Sequence, residues 1–260
     1  MSIKVRNKPF NDLQCAGFYS PIRVVDPLLG FPTLVPFVPH TSHPANQIVC
    51  AVHRFGRKMP KTNNKTSKLF LAYAKSFIQK TWKMDSVLRD EDVPSVAKWL
   101  ENANYTGSRK EQLMNLAKDL HHMLEKHAKV ESFVKQEGYY PEPKNARGIN
   151  SPTDESKTIL GALCSAIDKS TFKAGYFVKG TNPRDWPKKI LDTLGMEPVT
   201  ETDFSAFESH HSGVFSEVIN FWMLHMIRNL TRIKPMKDLI SRLVLGRNDI
   251  VFKHIKVETD

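Results

Sequence analysis

The chain has 260 residues and 40% hydrophobic content, enough to bury a core in one large domain or two small ones. Lys and Arg outnumber Asp and Glu by 38 to 27, and the resulting net charge of +11 favours a polyanionic partner, nucleic acid foremost. Three widely spaced cysteines (Cys15, Cys50 and Cys164) form no CxxC pair, which argues against a zinc site or a disulfide framework, and no apolar run approaches the roughly 18 residues of a membrane span.

From the N-terminus, residues 20–45 hold Pro21, Pro27, Pro32, Pro36, Pro39 and Pro44 among apolar residues such as "LLGFPTLVPFV". Proline fixes φ and removes a backbone donor, so neither a helix nor a central strand fits, while the apolar content argues against plain disorder. Residues 1–45 are expected to form an extended arm laid over another part of the fold. "HRFGRKMPKTNNKTSK", residues 53–68, carries six basic residues and no acid, and reads as an RNA-backbone patch or a solvated basic loop. "SKLFLAYAKSFIQKTW" is predicted helical, capped by Ser67, with Leu69, Phe70, Tyr73, Phe77 and Ile78 at helical spacing. "SVAKWLENA" is a shorter helix capped by Ser95. In "SRKEQLMNLAKDLHHMLEKHA", Leu113, Leu116, Leu120 and Leu124 share one helix face. The adjacent His121 and His122 cannot share one, so they read as surface residues rather than a metal pair.

The period then changes. "ESFVKQEGYYPEPKNARGI" predicts a strand, a loop with Gly138, Pro141 and Pro143, and a return strand. Helices follow in "DESKTILGALCSAI", capped by Asp154, and in "RDWPKKILDTL", where Pro187 is tolerable in the first turn. "PVTETDF" reads as a largely buried strand. "GVFSEVINFWMLHMIRNL" is a long amphipathic helix with Phe215, Ile219, Trp222, Met223 and Met226 on one side. "MKDLISRLVLG" is a helix ending at Gly246, and "DIVFKHIKVE" alternates like a strand. This irregular alternation points to an α+β fold gripping a polyanion. Gly-rich nucleotide signatures such as GxxxxGKS/T or GxGxxG are absent.

Two segments carry the candidate chemistry. Lys135, Lys144 and Arg147 on the strand–loop–strand unit suit a triphosphate: Arg offers a planar fork to phosphate oxygens, and Lys a mobile point charge. Alternate strand positions share a face, so Glu137 can sit beside Lys135 and hold a neighbouring base in place. Downstream, "TDFSAFESHH" puts Asp203 at the end of the predicted strand and Glu208 one turn further on. A carboxylate at a buried strand end is costly unless it is paired or binds a cation. Mg²⁺ takes one or two protein carboxylates plus substrate phosphates, and two such ions can activate an attacking hydroxyl and stabilise a leaving oxygen. Asp203 is therefore a candidate metal ligand, and Glu208 could reach the same cavity. The plainer alternative makes Asp203 a helix cap and Glu208 a surface acid.

Read in order, these segments resemble the RNA-directed RNA polymerases of positive-strand RNA viruses, nearest to the tombusvirus-like and nodavirus-like groups, over roughly residues 46–260. "YTGSRKEQL" is similar to the family's Y-x-G-x-K/R-K/R fingers element at Tyr105, Gly107, Arg109 and Lys110. "FVKQE…KNARGI" resembles the F motif, K-x-E…K-x-x-R-x-I, through Lys135, Glu137, Lys144, Arg147 and Ile149. "FVKGTN" resembles the V-K-G-x-N stretch through Lys179, Gly180 and Asn182, and "TDFSAFESHH" resembles motif A, D-x-S-x-F-D-x-H, through Asp203, Ser205, Phe207 and His210.

The resemblance implies a right-hand polymerase: an arm over 1–45, fingers with the cationic hairpin over 46–198, and the beginning of the palm over 199–260. It implies that Lys135, Lys144 and Arg147 bind the incoming NTP and that Arg109, Lys110 and Lys179 contact RNA. Asp203 would be the catalytic residue and ligand of two Mg²⁺ (or Mn²⁺) ions, and Glu137 would buttress the hairpin. Glu208 stands where the family has the Asp that selects ribose, keeping its charge on a side chain one methylene longer. The family's S-G-x-x-x-T-x-x-x-N and G-D-D motifs do not occur. The chain is therefore expected to be the N-terminal piece of a polymerase, short of motifs B and C and of the remaining palm and thumb, and inert by itself. The implied partners are template RNA, nascent RNA and NTPs, and the implied setting is the host cytoplasm at membrane-associated replication sites. The rival class is a stand-alone basic RNA-binding protein without catalytic metal. A reverse transcriptase fits less well, because its sugar-gating position is bulky and apolar or aromatic.

Overall fold

The computed structural model describes residues 2–5, 19–21, 24–25, 32–33, 37–55, 63–119, 130–139, 144–175, 177–196, 198–202, 213–231, 234–246 and 249–258. It is a mixed α+β structure built around two cores, one between helices and one under a sheet.

The helical part begins with α1 (Pro44–Cys50), which runs into a π-helical turn at Ala51–Phe55, and continues with α2 (Asn64–Thr81), α3 (Val96–Asn102) and α4 (Gly107–Asp119). It is completed by α5 (Asp154–Thr171), α6 (Trp186–Leu194), α7 (Val214–Met226) and α8 (Lys234–Leu245). Ile78 of α2 and Trp82 just after it, Leu160, Leu163 and Ile167 of α5, Met226 and Ile227 at the end of α7, and Leu239 and Ile240 of α8 close the first core. In α5 these apolar residues recur at intervals of three and four, which puts them on one face. Trp99 of α3 lies directly over Gly161 of α5, where an added Cβ would meet the indole ring at 2.3 Å. Only glycine permits that approach. No described helix is long and apolar enough to cross a membrane.

Two helix starts differ from expectation. Ser95 does cap α3, its hydroxyl accepting from Lys98 N–H at 3.2 Å. The cap of α2, however, is Asn63, whose Oδ1 accepts from Thr66 N–H at 2.7 Å, so Ser67 falls inside the helix. Asn is as good a cap as Ser, and capping there adds a turn. Thr153, not Asp154, caps α5 through Ser156 N–H at 3.4 Å; Asp154 occupies the first turn, where its charge meets the positive end of the helix. The apolar stripe of α2 also faces the other way from a core stripe. Ala74 and Ile78 are buried, whereas Leu69, Phe70, Tyr73 and Phe77 are exposed. Phe70, Tyr73 and Phe77 border an open apolar groove of about 500 Å³ between α2, α5 and α7.

The sheet has the order β1-β9-β8-β6-β7, from β1 (Ser2–Val5), β6 (Val130–Val134), β7 (Gly148–Pro152), β8 (Asp249–Val251) and β9 (Ile255–Glu258). Neighbours are antiparallel except β6 and β8, which run parallel. The segment expected as a single strand, "DIVFKHIKVE", is therefore a hairpin. Its apolar positions step by two within each arm but by three from Phe252 to Ile255, so one continuous strand would send the two pairs to opposite faces. Folding back at Lys253–His254 buries Ile250, Phe252, Ile255 and Val257 together with Val134, Ala146, Cys50 and Ala51.

Within the segment expected as an arm, β1 adds an edge strand to β9, pairing Ser2 with Glu258. Further on, β2 (Tyr19–Pro21) pairs with β5 (Phe37–Pro39) around the shorter ladder of β3 (Val24–Val25) and β4 (Pro32–Thr33). Each ladder is two-stranded, so its prolines sit on edges, where a missing N–H is tolerated. Pro44 already opens α1, so helix begins inside the expected 1–45 boundary.

The expected buried strand "PVTETDF" is not found in its described portion. Residues 198–202 are exposed and have no strand partner among the described residues. Alternation explains why: one face would carry Val199 and Glu201, the other Pro198, Thr200 and Thr202, and neither is an apolar stripe.

Candidate functional site

The strand–loop–strand expectation holds at β6 and β7. Within β6, Ser132 and Val134 point into the sheet core at 6% and 1% exposure, which turns Glu131, Phe133 and Lys135 to the opposite face. The register pairs Phe133 with Ile149 and Val134 with Gly148. One more backbone bond, from Lys135 N–H to the Arg147 carbonyl at 2.7 Å, closes the ladder. Lys135 and Arg147 thereby become cross-strand neighbours at the mouth of the hairpin. Such a pair of like charges is unfavourable unless something lies between them.

Glu137 lies between them. Arg147 donates from Nε to Oε1 and from Nη2 to Oε2, a bidentate fork. Lys135 Nζ stands 2.8 Å from Oε2, and the Tyr139 hydroxyl donates to Oε1 at 2.7 Å. A carboxylate has about four lone-pair sites, and these four donors occupy them. The Arg147 hydrogen bonds pull the Glu137 carboxyl down to about 2, with Lys135 and Tyr139 adding to the effect against the opposing cost of burial. Burial and the Glu137 hydrogen bond push the Tyr139 phenol up to about 12, so it remains a donor. The carboxylate in turn raises Arg147.

Lys135 and Arg147 against Glu137 leave this cluster with a net charge of +1. Lys144 is exposed on the returning segment, and 46% of the Arg147 side chain is exposed despite its ion pair. A phosphate arriving here meets N–H donors around a carboxylate that has no acceptor capacity left. The cluster can therefore bind an anion in a fixed orientation, with less total charge than its two cations suggest.

The structure gives the other expected cationic residues different partners. Arg109 ion-pairs with Asp154 across α4 and α5 and also donates to Gln112 at 3.1 Å. Lys110 Nζ caps the end of α3 through the Glu101 carbonyl at 2.9 Å. Burial works to raise the Asp154 carboxyl, but hydrogen bonds from Arg109 and Lys157 outweigh it and lower its pKa. Lys179 stands over the Phe172 ring at 4.6 Å and 4.0 Å from Asp168, with its side chain 71% exposed. Of the "VKGTN" stretch, Gly180 takes a left-handed φ of 83°, and Asn182 caps a short turn through Arg184 N–H at 3.0 Å.

Asp203 and Glu208, with the rest of "DFSAFESHH", lie outside the described residues. Among the described residues no group of three or more His, Cys, Asp or Glu could hold a metal ion.

Tyr139 was not among the residues expected at this site. A signal for it is present in the sequence, because Lys135, Glu137 and Tyr139 follow one another at the strand spacing of two. Neither a scan against protein-family models nor a search of curated proteins gives a match for the chain.

Proposed function

We propose that the chain forms the fingers and the first part of the palm of an RNA-directed RNA polymerase. The observation that supports this most is the hairpin mouth, where one saturated carboxylate orders Lys135 and Arg147 side by side. That is the arrangement the F-motif resemblance implies for gripping a nucleoside triphosphate. In this reading Arg147 and Lys144 neutralise the triphosphate and orient it, and Glu137 holds the arginine fork still. Orientation and charge stabilisation are the main protein contributions to phosphoryl transfer. Asp203 would hold Mg²⁺ or Mn²⁺, which supplies charge neutralisation at the reacting phosphate, and Glu208 would accept a hydrogen bond from the ribose 2′-hydroxyl. Template and nascent RNA are the macromolecular partners, which accords with a charge of +11.

The reading requires S-G-x-x-x-T-x-x-x-N and G-D-D motifs beyond these 260 residues. The test is to read the encoding RNA past the codon for Asp260, then assay the complete reading frame by primer extension with and without Asp203→Asn. Both motifs in frame, with extension abolished by the substitution, would support the polymerase. A stop codon with no such motif on the same RNA would leave a basic RNA-binding protein instead. Extension that survives Asp203→Asn would remove that residue from catalysis.

A further inference from the structure

The geometry of the hairpin points to Tyr139 as a positioning residue for triphosphate recognition, acting through Glu137 on Arg147. The inference rests on the triphosphate reading of the hairpin and adds a residue that the polymerase resemblance does not supply.

Arg147 can present its guanidinium to a phosphate in a fixed plane only if Glu137, its bidentate partner, is itself fixed. Glu137 stands two residues beyond the backbone rung at Lys135–Arg147, outside strand β6, so the β6–β7 ladder does not set its side chain directly. Lys135 contributes one contact to Oε2, but a lysine is a flexible point charge and lets the carboxylate rotate with it. Tyr139 differs in kind. Its phenol is rigid beyond two side-chain torsions and partly buried, and it donates to Oε1, the oxygen that also receives Arg147 Nε. Oε1 is thus held by Tyr139 and Arg147 together, and Oε2 by Arg147 and Lys135.

The arrangement has a consequence for selectivity. With all its lone pairs engaged, Glu137 is a constant counter-charge, and an anion must gain enough from the remaining donors of Arg147 and Lys135 to bind beside it. A triphosphate reaches several of these donors at once, whereas a monophosphate reaches few. Loosening Glu137 lets it swing toward the anion or release Arg147 from its plane, which costs most for the ligand that relies on the full array.

The test is calorimetric titration of the protein made from the complete reading frame with GTP, and with GMP as control, for wild type, Tyr139→Phe, Glu137→Gln, the double variant and Arg147→Ala. Thermal unfolding is measured in parallel. One charge-assisted hydrogen bond lost at a partly exposed site corresponds to about a fivefold rise in Kd. Tyr139→Phe is expected to raise Kd for GTP by about that factor and to affect GMP less, with no further rise when Glu137→Gln is already present. An unchanged GTP Kd in Tyr139→Phe, while Arg147→Ala loses binding, would overturn the positioning role alone. So would an equal rise in the Glu137→Gln background, or equal weakening of GTP and GMP together with a lowered Tm. If Arg147→Ala itself leaves GTP binding unchanged, the triphosphate reading fails and the role of Tyr139 fails with it.

Discussion

Replacing Glu137 by Gln removes the charge between Lys135 and Arg147 while keeping a side chain that can still hydrogen-bond. In the folded chain this carboxyl titrates at about 2, against an ordinary 4.5. At 1.36 kcal/mol per pH unit, the difference amounts to roughly 3 kcal/mol. Lys135 and Arg147 are 41% and 46% exposed. Solvent screens such partners, and the net contribution should be about 1–2 kcal/mol. A depressed folded-state pKa contributes stability that is complete above the unfolded value, 4.5, and is lost as pH falls toward about 2. Urea unfolding of wild type and Glu137→Gln across this range measures it, and other carboxylates cancel in the comparison. Wild type should lead at neutral pH, and the two curves should converge below pH 4.5. No gap at neutral pH, or a gap that stays constant through the acid range, would refute the account of the cluster.

Three further tests probe the scaffold. In Gly161→Ala the new methyl would stand 2.3 Å from the Trp99 ring. Overpacking of this kind costs about 1–3 kcal/mol, so Tm should fall and the near-UV signal of the tryptophans should change; a wild-type Tm would mean that α3 is not seated there. Arg109→Ala and Asp154→Ala should show a coupling of about 0.5–1 kcal/mol in a double-mutant cycle, and strict additivity would show that the pair contributes nothing. Phe252 is 1% exposed in the sheet core. Its replacement by Ala should cost about 3–5 kcal/mol in urea unfolding, and a loss below about 1 kcal/mol would place it outside the core.

Periodicity sufficed wherever an apolar stripe was continuous and had a stop signal. Helices α7 and α8, α6 with Pro187 near its start, and the β6–β7 hairpin could be read directly from sequence. It did not suffice where two residue types compete for one job. Asn63 and Ser67, or Thr153 and Asp154, are equally plausible caps until the helix is seen to begin. Nor does spacing alone tell which side of an apolar helix is covered: α2 buries its small Ala74 and leaves Tyr73 and Phe77 outside, because close approach to α7 favours the smaller side chain. At the candidate site, the cations and Glu137 were legible from their chemistry. Their number was less informative than it looked, because Arg109 and Lys110 have structural partners within the chain.

The sheet also imposes an order on biosynthesis. Its β1 strand pairs Ser2 with Glu258, across almost the whole sequence. At about 5–20 residues per second, β1 leaves the ribosome roughly 10–50 s before β9 has been translated. In that interval the helical core, whose residues run from Ile78 to Ile240, can assemble. The nested ladders β2–β5 and β3–β4 close over short distances and can form early too. The first strand must wait, and its pairing carries the largest loop-closure entropy in the chain. Among the described ladders, the edge that β1 and β9 make together therefore closes after the helical core and the nested ladders as the nascent polypeptide emerges.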